Sequence, residues 1–217
     1  MRVVERDRII MREIARNGYM TGKQIMLIAG FGGTRATDRR LKKLMDQGWL
    51  NRDKKLYGLC GLYTVTAEGM EYFHLNEQIK TTYIDNINLN EIEHNLAAID
   101  SQIYFIRKHS ISLEEITTDK EIRRSQGLQI KQHVPDFVIN KDGKSIAVEI
   151  ERTYKGKVRL QKNIEANYTK YDAQYWIVPV ARNTIREILQ NLSARFPGIE
   201  IFELEAIQTY VEELKDN

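Results

Sequence analysis

The sequence has few of the residues that mark secreted, membrane or zinc-binding proteins. Of its 217 residues only one is a cysteine, Cys60, so no disulfide can form within the chain. No run approaches the roughly 20 apolar residues of a membrane-spanning helix, and no charged and then apolar leader opens the chain. We therefore expect a cytoplasmic protein that does not insert into a membrane.

Histidine is also scarce, and this narrows the metals that the chain could bind. Four histidines and one cysteine, without close His/Cys pairing, exclude the usual zinc cluster. A bound metal would then be a hard cation such as Mg²⁺ or Mn²⁺, which prefers oxygen ligands. The chain also lacks a glycine-rich phosphate loop, which argues against a phosphotransfer or small-ligand module.

Charge is unevenly distributed along the chain. The formal net charge is +3, and residues 1–74 contain 14 Lys and Arg against 8 Asp and Glu. The remaining residues contain 19 Lys and Arg against 22 Asp and Glu, so the positive excess lies in the N-terminal third. This concentration of positive potential suits a phosphate-bearing partner, although a solvated basic surface without a partner gives the same count.

The N-terminal third has the pattern of three helices. The first has helical spacing of apolar residues and stops at Asn17 and Gly18, and the second begins with Thr21 and Gln24 at capping-box spacing. A third helix follows the glycines of "GFGG", with Thr34 as its expected N-cap. The inward face of this third helix comprises Thr37, Leu41, Leu44 and Met45.

Two helices joined by a short glycine-containing turn are typical of a helix-turn-helix. The following stretch, "GWLNRDKKLYGLCGLYTVT", predicts a strand, a tight basic loop and a second strand, which together form a β-wing. The stretch "LYTVTAEGMEYF" resembles the strand-to-helix ending of winged-helix regulators. We therefore predict a winged-helix domain over residues 1–80 that binds double-stranded DNA. Its expected DNA-binding residues are Arg35, Arg39, Arg40, Lys42, Lys43, Lys54 and Lys55.

The chain changes character after a polar stretch near residues 80–88. A strongly helical segment, "EIEHNLAAIDSQIYFIRKH", precedes three expected strands, "EEITTDKEIRR", "PDFVIN" and "SIAVEIE", of which the last two form a hairpin at "NKDG". A helix, a strand, a helix and a strand follow, and the final "EELKDN" is expected to be frayed. We therefore predict a second, α/β domain over residues 88–210, with a sheet buried between helices.

Three carboxylates interrupt strands that should be almost wholly apolar. Glu149 and Glu151 lie two residues apart, so in a strand they point to one face, and Asp136 in the hairpin partner can reach that face. Converging carboxylates repel one another unless a cation compensates for their charge, and a divalent metal would do so. The inert alternative is a salt-bridge cluster. Its cations would be Arg123, Arg124 and Arg152.

The order αβββαβ, with "PD" opening the second strand and "EIE" ending the third, resembles the restriction-endonuclease-like PD-(D/E)xK nuclease superfamily. The resemblance implies cleavage of phosphodiesters with Mg²⁺ or Mn²⁺, which Asp136, Glu149 and the carbonyl of Ile150 would hold. Glu151 stands where that superfamily usually has lysine, so catalysis stays open. The residues expected to be catalytic are Asp136, Glu149, Glu151, Lys157 and Gln161.

Further residues are secondary candidates for the same site. Lys162, on the helix that also carries Lys157 and Gln161, could replace the missing strand lysine, and Glu121 at the end of the first strand is a further carboxylate. His94 and His133 could act as ligands, but a partly buried structural histidine is the commoner case. The tyrosines and the tryptophan of residues 168–176 are expected to pack in the core.

The whole chain resembles the replication-relaxation family of plasmid and mobile-element proteins. In that family a winged helix precedes a domain with "PD", an "E-x-E/D-R" motif and a helix ending in tyrosine, which here are Pro135 with Asp136, residues 149–152, and Tyr168 or Tyr171. The resemblance implies a DNA-binding protein of a plasmid, phage or other mobile element, connected with replication or mobilisation. The alternative is a non-catalytic winged-helix transcriptional regulator whose α/β domain mediates homodimerisation or partner docking.

Overall fold

The computed structural model describes residues 1–53, 61–75, 88–126, 132–154 and 156–214. Within these ranges the chain is a mixed α+β protein with helices and two separate sheets. It divides into two compact units: unit 1 is Met1–Ile99 with the C-terminal residues from Glu213, and unit 2 is Asp100–Glu212. Among the residues described, no helix is both long enough and apolar enough to cross a membrane.

Unit 1 combines short helices with a small antiparallel sheet, whose strand order is β1-β3-β2. Its helices are α1 (Glu5–Asn17), α2 (Gly22–Ile28), α3 (Thr34–Asp46) and α4 (Ala67–Tyr72). Its strands are β1 (Met20–Thr21), β2 (Leu50–Asp53) and β3 (Leu62–Val65). The expected helices and the two expected strands after α3 are therefore confirmed.

Local sequence signals set the ends of these helices. Gly18 follows α1 with a φ of 90°, a left-handed conformation that glycine adopts at low cost. Thr21 and Gln24 form the expected capping box at the start of α2. The expected cap of α3 was wrong by one residue: Gly33 is the N-cap, and Thr34 is the first residue of the helix.

The core of unit 1 lies between α1, α3 and the sheet. Ile14 of α1 and Leu41 and Leu44 of α3 are completely buried, and each such side chain contributes roughly 1.5–3 kcal/mol through its removal from water. Gly69 of α4 lies directly against the backbone carbonyl of Trp49, which leaves no room for a side chain. The close approach of α4 to the chain just before β2 therefore depends on glycine.

The first boundary between the units falls inside α5 (Leu89–His109), between Ile99 and Asp100, rather than in the polar stretch before that helix. The reason is that the first turns of α5 pack in unit 1. Ile92 is buried in a cluster with Tyr19 and Leu62, and Gln24 Nε2 donates a hydrogen bond to the carbonyl of Leu96 at 3.1 Å.

Unit 2 is built around a mixed five-stranded sheet in the order β4-β5-β6-β7-β8. The pairs β4–β5 and β5–β6 are antiparallel, whereas β6–β7 and β7–β8 are parallel. Its strands are β4 (Ile116–Thr118), β5 (Phe137–Lys141), β6 (Lys144–Ile150), β7 (Ala173–Val178) and β8 (Ile199–Glu203). Its further helices are α6 (Asp119–Ser125), α7 (Lys157–Tyr168), α8 (Asn183–Ser193) and α9 (Leu204–Glu213).

The hairpin between β5 and β6 has the expected tight turn. Asp142 and Gly143 have φ values of 52° and 76°, and Lys141 pairs with Lys144 across the turn. Two successive left-handed residues make the type I′ turn that matches the twist of an antiparallel hairpin. The register pairs Phe137 with Val148, which places Asp136 close to the end of β6 that carries Glu149.

Two expectations for unit 2 were wrong. The run "EEITTDKEIRR" is not one strand, because only residues 116–118 pair in the sheet before Thr118 caps α6. Glu121 therefore lies in a helix. The chain also continues past β8 into α9, in which Leu204, Ile207 and Val211 are buried. The one-turn spacing of these apolar residues is a helical signal that the strand-like "IEIFELE" obscures.

Apolar residues cover both faces of the sheet in unit 2. On one face Trp176 of β7 is buried with Leu160 and Ile164 of α7. On the other face the ring of Phe105 in α5 stacks on Tyr175, with centroids 5.6 Å apart. Glu149 is the register partner of Trp176, so its side chain lies on the α7 face.

Candidate nucleic-acid interface and carboxylate site

Helix α3 separates its buried residues from its cations. Thr37, Leu41 and Leu44 are buried, and the Thr37 hydroxyl donates to the carbonyl of Gly33 at 3.0 Å. The exposed cations of the helix are Arg35, Arg39, Lys42 and Lys43. Lys42 pairs with Asp46 at 3.0 Å on the surface, a contact of small energetic weight. The expected arrangement of α3 is therefore present.

Arg40 differs from the other cations of α3. It is half-buried, and its guanidinium forms an ion pair with the fully buried carboxylate of Asp7 in α1. The same guanidinium donates to the carbonyl of Arg2 at 3.1 Å, and the hydrogen bond to Asp7 raises the pKa of Arg40. These contacts give Arg40 a structural role that holds α3 to α1, and we leave it out of the proposed DNA contacts.

An open cavity of about 500 Å³ adjoins this face of α3. Three of its six lining residues have cationic side chains, and one, Asp46, is acidic. The lining residues are Met1, Arg2, Arg40, Lys43, Asp46 and Gln47. Lys43 thus faces a concave surface with room for a phosphate group. The two wing cations expected to bind DNA, Lys54 and Lys55, lie outside the described residues.

The hairpin of unit 2 brings Asp136 and Glu149 together. The backbone amide of Ile150 donates to Asp136 Oδ2 at 2.7 Å, and the amide of Asp119 donates to the carbonyl of Asp136 at 3.1 Å. The negative charge of Asp136 also raises the pKa of Glu149, as expected for neighbouring carboxylates. Two members of the expected acidic trio therefore share one site.

Glu149 is buried, and two polar side chains hold its carboxylate. Asn167 of α7 donates to Glu149 Oε1 at 2.8 Å, and His133 Nε2 contacts the same oxygen. Burial raises the pKa of Glu149, whereas the contacts with His133 and Asn167 lower it. The balance is a raised pKa, because the loss of water disfavours the charged carboxylate more than these partners favour it.

A further acid and a tyrosine lie at the same site. The pKa of Asp119, in the first turn of α6, is raised by burial and by the charge of Asp136. The pKa of Tyr171 is raised by burial and by the charge of Glu149. The site is thus a semi-buried carboxylate cluster in which negative charge is disfavoured at several positions.

Other residues predicted for the site have different surroundings. Gln161 donates to Glu165 one turn further along α7, at 2.8 Å, and Lys157 is exposed at the start of that helix. Glu151 follows the last residue of β6, and its amide donates to the carbonyl of Ile177 at 3.0 Å. Glu121 accepts from the amide of Thr118 at 2.8 Å as part of a capping box.

Sequence reasoning missed Asn167, the residue by which α7 reaches Glu149. Its signal was present, because Leu160, Ile164 and Asn167 recur at the spacing of the buried face of a helix. An asparagine at such a position requires a buried hydrogen-bonding partner. His133, weighed only as a weak candidate, is the second partner of Glu149.

The donor set fits a magnesium-type ion to a limited degree. In the ranges that the structure describes, no three His, Cys, Asp or Glu side chains are grouped to hold a metal. Mg²⁺, however, is commonly bound through one or two carboxylates with waters and substrate phosphates completing its shell. Asp136 and Glu149 supply that minimum, although Glu149 Oε1 already has two partners.

No family model, curated protein or solved structure matches the chain.

Proposed function

We propose that the protein binds duplex DNA through a winged helix in unit 1, with α3 as the contact helix. The observation that carries this proposal is the exposed face of α3, on which Arg35, Arg39 and Lys43 lie opposite the buried Leu41 and Leu44. The short α2 and the glycines before α3 are typical of a helix-turn-helix.

The dimensions of α3 suit the major groove. Its 13 residues span roughly 20 Å at 1.5 Å per residue, and the groove, about 12 Å wide, admits a helix. Lys and Arg on the outer face release counterions when they neutralise phosphates, and an Arg fork can pair with guanine. On the hairpin of β2 and β3, Arg52 is also exposed and lies over the ring of Tyr63.

The proposal is tested by the salt dependence of duplex binding. Fluorescence anisotropy with labelled duplexes gives the association constant of the full chain at several salt concentrations. Arg39→Ala combined with Lys43→Ala should lower the slope of log K against log salt by about 1.8, which corresponds to two phosphates at about 0.9 each. A control variant, Arg8→Ala with Lys108→Ala, removes two exposed cations from other helices.

The slope of the control variant should stay close to that of the wild type, since only net charge has changed. An equal loss in both variants would mean that α3 has no special role. Wild-type binding by the α3 variant would show that the wrong helix was chosen. Absence of salt-dependent binding by the wild type would remove the proposed function altogether.

We further propose that the biological setting is a plasmid, phage or other mobile element, as the resemblance to the replication-relaxation family implies. Support comes from the combination of a helix-turn-helix pattern in unit 1 with a second unit in which Asp136 precedes β5 and Glu149 lies in β6. This placement is the one expected of a PD-(D/E)xK-like domain. In the alternative, unit 2 serves dimerisation of a non-catalytic regulator.

Metal-dependent phosphodiester cleavage is the second candidate function of the chain. It is favoured by one observation: Asp136 accepts a hydrogen bond at 2.7 Å from the amide of Ile150, the residue that follows Glu149 in β6. These two carboxylates, with the carbonyl of Ile150, would hold Mg²⁺ or Mn²⁺. The bound ion would supply a nucleophilic hydroxide and neutralise phosphate charge, and Asn167 and His133 would orient Glu149.

Incubation of the full chain with supercoiled plasmid and either metal tests this candidate. Nicked or linear product that Glu149→Gln and Asp136→Asn both abolish would support cleavage, and Glu187→Gln on the exposed surface of α8 serves as the matched control. Unchanged plasmid with both metals, together with retained duplex binding, would support the alternative of a non-catalytic regulator. A two-fold symmetric footprint would then indicate that a homodimer binds.

A further inference from the structure

Unit 2 concentrates its positive charge in one short segment. Residues 100–212 contain 17 Lys and Arg against 16 Asp and Glu, which is close to neutral. Residues 152–170, at the end of β6 and along α7, contain 6 Lys and Arg against 1 Glu. The remainder of the unit then has 11 cations against 15 acids, so this segment is positively charged and the rest of the unit carries a net negative charge.

Two cations of α7, Arg159 and Lys162, lie on the solvent side of the helix. Leu160 and Ile164 are buried against Trp176, which fixes the inner face. Arg159 and Lys162 are both exposed, and residues three apart are neighbours on one face of a helix. In the described part of the chain neither of them forms an ion pair with an acidic side chain.

The charge pattern of α7 does not serve the stability of the helix. Its first turn contains Lys157 and Arg159 and no acidic residue. Acidic side chains are the ones that stabilise the first turn, because the peptide dipoles leave partial positive charge there. By contrast, α6 begins with Asp119 and Glu121. The cations of α7 therefore raise the local positive potential at some cost to the helix itself.

A further exposed cation lies near the end of β6. Arg182 is exposed after β7, and its Nε donates to the carbonyl of Arg152 at 3.2 Å, beside the end of β6. Apolar side chains lie among these cations: Tyr154 is 47% exposed and Val158 is 70% exposed. The contribution of such a surface to duplex binding would come from its cations, since Lys and Arg release counterions when they neutralise phosphates.

We propose that the outer face of α7, centred on Arg159 and Lys162 and with the exposed Lys157 at the start of the helix, is a second surface that binds the phosphodiester backbone of duplex DNA. The proposal rests on the DNA binding proposed for unit 1. This surface would add affinity without sequence preference, because phosphate contacts position a protein on the duplex and base contacts specify its site. Phosphate contacts by this surface would add to the number of counterions that are released when the chain binds DNA.

The test removes the three cations of α7 in the full chain. Lys157→Gln, Arg159→Gln and Lys162→Gln keep good helix formers at exposed positions, so the fold should be retained. If each cation neutralises one phosphate, the slope of log K against log salt falls by about 2.7. At about 0.1 M salt the affinity should then fall by roughly tenfold or more, equally for unrelated duplex sequences.

A matched control removes the same charge elsewhere on unit 2. The control variant carries three substitutions in unit 2. They are Lys108→Gln on α5, Lys144→Gln at the start of β6 and Arg195→Gln after α8. Circular dichroism and thermal unfolding check that both triple variants fold. The control should keep the wild-type slope, and combining the α7 triple variant with the α3 double variant should give additive losses in slope.

Each outcome decides between the two surfaces. A wild-type slope for the α7 variant, with a reduced slope for the α3 variant, overturns this inference and leaves the proposed function in place. An equal loss in the α7 variant and its control also overturns it, because net charge alone would explain the result. Absence of duplex binding by the wild type overturns both proposals.

Discussion

Replacing Arg40 by alanine should destabilise unit 1 strongly, although Arg40 lies on the helix proposed to bind DNA. Asp7 is completely buried, and its carboxylate has the Arg40 guanidinium as ion-pair partner and accepts from the amide of Val4 at 2.8 Å. Removal of the guanidinium leaves a buried negative charge that the remaining amide compensates only in part. Loss of one partner of a buried ion pair costs about 3–5 kcal/mol.

We expect about 3 kcal/mol for Arg40→Ala, at the lower end of the range for buried ion pairs. The reason is that the Arg40 side chain is itself 18% exposed and that the Val4 amide still binds Asp7. With a urea m-value of about 1.5 kcal/mol/M, the midpoint of unfolding of unit 1 should fall by about 2 M. The exposed neighbour Arg39, changed to alanine, should alter stability by less than about 0.5 kcal/mol.

The two tryptophans allow the units to be followed separately. Trp49 lies in unit 1 and Trp176 in unit 2, so each contributes one ¹⁹F resonance when the chain is labelled with fluorotryptophan. Urea titration should shift the transition reported by Trp49 in Arg40→Ala. The double variant with Asp7→Leu and Arg40→Leu should recover much of the loss, because no buried charge remains. A shift below about 0.5 M in the single variant would refute the reasoning.

Three further changes test the carboxylate site and the core. The raised pKa of Glu149 means that the folded state holds its proton more tightly than the unfolded state, so stability falls as the pH rises from the ordinary carboxyl value to the raised one. Glu149→Gln should therefore gain stability relative to the wild type across that window in urea titrations, and a pH-independent difference would contradict this. Asn167→Ala should cost about 1–3 kcal/mol, since it leaves a buried carboxylate with one donor fewer; a neutral change would mean that this bond is unimportant. Gly69→Ala should destabilise unit 1 by roughly 1–3 kcal/mol, because a methyl group would meet the carbonyl of Trp49, and unchanged thermal unfolding would show that α4 can shift.

Local signals with a strict geometric basis predicted most of the fold. The turn at Asp142 and Gly143 and the capping box of α2 depend on a few adjacent residues, and both are present. The prediction of one strand over residues 114–124 was wrong. Its β-branched residues favour a strand, but Thr118 is the N-cap of α6, so the strand ends there and a helix begins. Short apolar runs do not distinguish strand from helix unless a cap decides between them.

The candidate site was predictable only in part. The alternation of side chains along the β-strands and the tight hairpin indicated that Asp136 and Glu149 would lie near each other, and the structure has Asp136 accepting from the amide of Ile150, next to Glu149. The contact of Glu149 with Asn167 was missed: helical spacing places Asn167 on the buried face of α7, but the sequence does not show which strand residue, 18 positions away, that face meets. For the same reason the ion pair of Arg40 with Asp7 was missed: it joins residues 33 positions apart.

The most direct measurement of the central claim is site-specific photo-crosslinking to duplex DNA. A photoreactive residue in place of Arg39, on the exposed face of α3, should give a covalent protein–DNA adduct that high salt suppresses. The same residue in place of Glu71, exposed on α4, should give little adduct. Strong crosslinking from position 71 with none from position 39 would contradict the account.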